Sequence, residues 1–97
     1  IITTGGTGLA PRDVTPEATR HVIDREVPGI AEAMRAAGLK KTNRAMLTRG
    51  IAGAIGQTLV INMPGSQKAV KESLEAVIDV LAHAVETLKG SGEDCGR

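Results

Sequence analysis

Thr58-Leu59-Val60-Ile61-Asn62-Met63-Pro64-Gly65-Ser66 is the stretch that decides the fold. Its first six residues form a nearly continuous apolar run, which predicts a strand buried on both faces of a parallel sheet. Pro64-Gly65-Ser66 turns the chain, and a long helix is expected from Ser66 to Lys89. Leu74, Val77, Ile78, Leu81, Val85 and Leu88 give that helix one apolar stripe, widened by Ala69, Ala76, Val80 and Ala84.

Upstream, Ile51 to Gln57 is small and glycine-spaced, and reads as a short strand entering a tight turn at Gly56-Gln57. Residues 39–50 are the least readable. Lys40, Lys41, Arg44 and Arg49 make them locally basic, and Ala45-Met46-Leu47 suits either a helical turn or a short strand. A helix is expected from Pro28 to Ala37 on the period of Ile30, Ala33, Met34 and Ala37, with Gly38 ending it in the left-handed conformation. Another is expected from Pro16 to Glu26, with Thr15 as N-cap, Pro16 at the first helical position and Glu17 at the positive end of the helix dipole. Ala18, Val22 and Ile23 mark its apolar face. Val27-Pro28 separates the two helices, because proline disfavours a helical residue before it.

The chain opens on Ile1-Ile2-Thr3-Thr4, which reads as the second half of a buried strand, and runs straight into Gly5-Gly6-Thr7-Gly8. Alternating strands and helices argue an α/β layered fold with a mainly parallel sheet. Two clear strands are too little sheet to cover these helices. A further segment is therefore expected before Ile1.

Composition narrows the functions. The 97 residues allow one small domain, with residues 1–89 as its body and 90–97 as a flexible polar tail. There is no Phe, Tyr or Trp, so the core rests on aliphatic residues and methionine, with Met34, Met46 and Met63 read as core fillers. A net charge of +1, no basic patch and no aromatic rings argue against nucleic-acid binding. No apolar run is long enough to span a bilayer. Cys95, alone and in the tail, suits a reducing cytoplasmic setting and reads as a surface thiol. His21 and His83 lack the ligand spacing of a metal site and read as solvated helix residues.

The chemistry concentrates in two glycine turns. Three glycines among Gly5-Gly6-Thr7-Gly8 bare the backbone at the end of a strand, so main-chain N–H groups can approach an anion. Pro64-Gly65-Ser66 ends the other strand and opens a helix, whose first N–H groups and the Ser66 hydroxyl could face the same anion. Ligands of open α/β sheets bind beyond the carboxyl ends of the strands, so the turns share one crevice if the strands are neighbours. Spacing alone leaves a structural turn open as an alternative. This is neither the dinucleotide G-x-G-x-x-G fingerprint nor a Walker A loop. Asp13 reads either as a Mg²⁺ ligand beside a phosphate or as a loop aspartate satisfying nearby N–H groups. Arg12 either neutralises phosphate or faces solvent.

These blocks resemble a known family. Thr3-Thr4-Gly5-Gly6-Thr7-Gly8 with Pro11-Arg12-Asp13-Val14-Thr15-Pro16-Glu17-Ala18-Thr19 is similar to the signature of the molybdopterin adenylyltransferases, which include MogA, MoaB, the plant G domain and the gephyrin G domain. The likeness continues through Asp24-Arg25-Glu26-Val27-Pro28-Gly29, Ala45-Met46-Leu47-Thr48-Arg49 and Thr58 to Ser66, and covers the chain to about Gly90. It implies a three-layer α/β/α fold, a homotrimer, and Mg²⁺-dependent transfer of AMP from ATP to the terminal phosphate of molybdopterin, with pyrophosphate released. A molybdate-inserting partner or fused domain would take the product. It also implies roles: Asp13 in catalysis and at the metal; Thr4, Gly5, Gly6, Thr7, Gly8, Glu17, Thr48, Arg49, Pro64, Gly65 and Ser66 in substrate binding. Thr48-Arg49 stands where the family usually has Ser-Arg, near the pterin. Family domains run to about 150–170 residues, within the ordinary domain range. The resemblance thus places this chain in the second half of such a domain, with an acidic catalytic segment expected upstream. A molybdopterin-binding or scaffolding module without catalysis is the other reading.

Overall fold

The computed structural model describes residues 1–90. Four strands form one mixed sheet in the order β1-β4-β3-β2: β1 (Ile2–Thr4), β2 (Arg25–Glu26), β3 (Ala52–Ile55) and β4 (Thr58–Met63). The helices are α1 (Thr15–Val22), α2 (Pro28–Leu39) and α3 (Gln67–Leu88), with a 3-10 turn at Asn43–Leu47. β1 runs parallel to β4, pairing Ile2 with Ile61 and Thr4 with Met63. β3 is antiparallel to both β4 and β2, so of the three pairings described only β1–β4 is parallel. The expected mainly parallel sheet is a mixed one here, because β3 returns to β4 through the tight turn at Gly56-Gln57.

β4 is an inner strand, paired on both sides, and its alternation divides the layers. Leu59, Ile61 and Met63 join Ile30 and Met34 of α2 and Val77 of α3 in one aliphatic core. Asn62 points to the other face, where its side chain meets Thr19 of α1. Helices thus lie on both sides of the sheet, as the three-layer expectation requires. Met34 and Met63 are core residues, but Met46 is 65% exposed on the 3-10 turn. Ile78 and Val80 of α3 also face outward. The stripe that packs on the core is Leu74, Val77, Leu81, Val85 and Leu88.

Three local expectations change. α1 stops at Val22, and Arg25–Glu26, both exposed, form β2 against Ala54 and Gly53. Its buried residues are Pro16 and Thr19, while Ala18 and Val22 are exposed. Thr15 is the first helical residue and not a side-chain cap; its N–H is satisfied by the Gly6 carbonyl at 3.1 Å. Gly38 does not end α2 in a left-handed conformation: the helix continues to Leu39. A β-carbon at Gly38 would lie 3.0 Å from that of Ala45, so this glycine serves close packing of the 3-10 turn. The expectations for Cys95 and for residues 91–97 of the tail lie outside the described residues.

Candidate functional site

The parallel pairing of β1 and β4 brings the two glycine turns side by side at their carboxyl ends. The Gly5 N–H donates to the Met63 carbonyl at 3.0 Å, and a β-carbon on Gly65 would lie 3.5 Å from the Gly5 Cα. Gly5 and Gly6 adopt φ of +87° and +73°, a region that L side chains avoid. At Gly6 a β-carbon would also fall on the Thr15 hydroxyl. The second wall is capped locally: Ser66 Oγ accepts from the Ala69 N–H at 3.1 Å, which leaves its own proton available to a ligand. The strands are neighbours and the two turns therefore meet, with Thr4 at the end of β1 and Gly65 and Ser66 exposed along the junction, the place of the expected crevice.

Asp13 closes the far end of the loop. Its Oδ2 accepts from the Ala10 N–H at 3.0 Å, and its own N–H donates to the Ala10 carbonyl at 2.8 Å. These are the bonds of a loop aspartate, and the other carboxylate oxygen, Oδ1, accepts no bond from the described residues. Arg12 is exposed. Among the described residues no group of three or more His, Cys, Asp or Glu could hold a metal ion. A hard cation here would take Asp13 as its one carboxylate and fill its shell from phosphate oxygens and water, as Mg²⁺ does with nucleotides.

Arg49 behaves differently from a free anion contact. Its Nε donates to the Gly8 carbonyl at 2.7 Å, Nη2 to the Asp13 carbonyl at 2.6 Å, and Nη1 to Glu17 Oε2 at 2.5 Å. Its backbone N–H donates to the Thr7 carbonyl at 2.8 Å. The Glu17 carboxyl is held below the usual glutamate range, first by the hydrogen bond from Arg49 and then by a backbone hydrogen bond. Thr48 is turned inward: its hydroxyl donates to the Ala45 carbonyl at 3.0 Å.

Asn62, which sequence reasoning absorbed into a strand, supports the two turns from below. It is 1% exposed, and Nδ2 donates to the hydroxyls of Thr3 and Thr19, both at 3.0 Å. Oδ1 accepts from the Ile51 N–H at 3.2 Å. One amide thus ties β1, α1 and the segment before β3 together beneath the crevice. The visible signal was an amide inside an otherwise apolar run. Beside the crevice lies a cleft of about 210 Å³ between α2, the 3-10 turn and the start of α3. Thr7 and Pro64 from the two turns border it, together with Met34, Arg35, Thr48 and Ser73.

Fold and site define an α/β domain that presents two glycine turns on neighbouring parallel strands. Residues 1–83 match the family model described as "Probable molybdopterin binding domain", and the chain belongs to that molybdenum-cofactor biosynthesis family. It is 49% identical over 88 residues to the molybdenum cofactor synthesis protein cinnamon of Drosophila melanogaster, covering 91% of this chain and 15% of that protein. It is 44% identical over 91 residues to the molybdopterin adenylyltransferase of Helicobacter pylori J99, covering 94% of this chain and 52% of that enzyme. Among solved structures, the molybdopterin biosynthesis enzyme MoaB of Thermus thermophilus superposes with a TM-score of 0.85 at 62% identity, over 93% of this chain and 57% of that one. The chain thus spans about half the length of that adenylyltransferase and of MoaB. No helix among the described residues is long and apolar enough to cross a membrane.

Proposed function

We propose that this chain supplies the phosphate-binding half of a molybdopterin adenylyltransferase. The observation that carries the reading is the contact between Gly5 and the β4 end, which makes one crevice of two anion-suited turns. The names of the relatives supply the substrates, molybdopterin and ATP. The terminal phosphate oxygen of molybdopterin would attack the α-phosphorus of ATP. The new P–O bond joins pterin phosphate to AMP, the bond to the bridging oxygen breaks, and pyrophosphate leaves with that electron pair.

The protein has little covalent chemistry to do here, so positioning and charge neutralisation carry the rate. Backbone N–H groups of Gly6, Thr7 and Gly8 and of the first turn of α3 would hold phosphate oxygens, with the Ser66 hydroxyl beside them, while the Gly5 N–H stays on the Met63 carbonyl and joins the two turns. Asp13 would hold Mg²⁺ through its remaining oxygen. The ion, when bound, supplies neutralisation of the developing phosphate charge. Pro64 and Thr48 border the neighbouring cleft, which we assign to the pterin. Glu17 and Arg49, expected among the substrate contacts, instead act on the loop. The homotrimer, and hand-over to a molybdate-inserting partner or fused domain, belong to the same reading.

The test uses the full-length protein with molybdopterin and Mg-ATP. Pyrophosphate release that requires the pterin, and that falls at least about a hundredfold in Asp13→Asn, is the expected outcome. Unchanged turnover in that variant would remove Asp13 from the mechanism. Pterin binding by the wild type with no pyrophosphate release would assign a binding module in place of an enzyme.

A further inference from the structure

We infer that Arg49 is a positioning residue that holds the glycine loop in its anion-ready shape. This rests on the reading of residues 5–8 as the phosphate wall. Among the described residues, every side-chain hydrogen bond that ties residues 5–14 to another element comes from Arg49. The guanidinium fork spans Gly8, Asp13 and Glu17, and the Arg49 N–H adds Thr7. One residue outside the loop thus fixes its middle, its end and the helix that follows.

The loop has particular need of such a clamp. With two positive-φ glycines and one further glycine, Gly8, in the ordinary range, it samples more conformations than other loops of its length when unrestrained. An anion site made of backbone N–H groups gains affinity and catalysis only when those groups are aligned before the ligand arrives. Three of the five guanidinium N–H donors, one on each nitrogen, are spent on the loop and on Glu17, which fixes the plane of the group against the loop. The planar fork is also what lysine lacks: an ammonium is a point charge and cannot span three acceptors in fixed directions.

The experiment is hydrogen–deuterium exchange on the ligand-free full-length protein, comparing wild type with Arg49→Ala, Arg49→Lys and Glu17→Ala. The amides of residues 5–14 should exchange about tenfold faster in both Arg49 variants, and those of α3 at the wild-type rate. Glu17→Ala, which removes an exposed partner, should give a smaller increase confined to the same peptide. If the Arg49 variants do not fold, the Glu17 variant decides alone. Wild-type exchange of the loop in the folded variants would overturn the inference. In turnover, Arg49→Lys should lower kcat about tenfold at saturating Mg-ATP, which loss of global stability would not do to the folded fraction. A lysine variant with wild-type kcat and loop exchange would instead mark Arg49 as a simple charge. A wild type that does not adenylylate the pterin would sink the functional reading and leave the exchange result intact, because exchange is read without substrate.

Discussion

The two glycine turns face one crevice but are built in different ways. The Pro64-Gly65-Ser66 wall is local: among the described residues its one side-chain bond runs from the Ala69 N–H to Ser66, three residues away. The Gly5 to Asp13 wall is held from a distance, by the Met63 carbonyl, by the Gly6–Thr15 backbone bond and by Arg49 36 to 41 residues away. A locally built wall forms whenever its helix forms. A wall held from a distance forms only when the sheet, α1 and the segment before β3 are all in place, so its order reports on the whole fold.

Parallel glycine substitutions sharpen this contrast. Gly6→Ala should cost about 2–4 kcal/mol, since it forces a left-handed backbone and drives a methyl into Thr15. The midpoint of urea unfolding measures it. Asn62→Ala should come next, at about 2–3 kcal/mol, because it strips the partner from the Ile51 N–H and from two threonine hydroxyls. Ser66→Ala removes a cap and should cost about 1 kcal/mol, with faster amide exchange limited to the first turn of α3. Gly65→Ala should cost under about 0.5 kcal/mol, since its φ is not positive and its β-carbon would meet only ordinary contact. A Gly65 cost equal to that of Gly6 would break the distinction between the two walls.

The pH response should fall on the distant wall alone. The folded pKa of Glu17 is depressed, so its contribution is fully present above the unfolded value of about 4.3 and is lost as pH falls through the lower folded value. Loop exchange corrected for intrinsic rates should therefore quicken below about pH 4 relative to neutral pH, while the first turn of α3 shows no such step. The step should be absent in Glu17→Ala.

Legibility in the sequence follows the same division. β4, the turn at Gly56-Gln57, α2, α3 and the two glycine turns are readable because their signals are local: an apolar run, a glycine, a helical period, a turn after a strand. Arg25 and Glu26 carried no such signal. Both are polar and exposed, and they are a strand only because Ala54 and Gly53 pair with them. Met46 looked like core by type but sits on a 3-10 turn facing outward. Arg49 reads as one cation of a basic stretch and, through the resemblance, as a substrate contact near the pterin; its bonds to residues 7 to 17 exist only once those residues fold back onto it. Asn62 reads as part of an apolar strand, and its three partners lie on three different segments, which no local pattern shows.

The most direct test of a single two-walled phosphate site is backbone amide shift mapping of the full-length protein on titration with Mg-ATP. The amides of Gly5 to Gly8 and those of Gly65 to Ala69 should shift together and saturate at one dissociation constant. Shifts confined to one turn, or separate saturation of the two, would contradict a shared crevice.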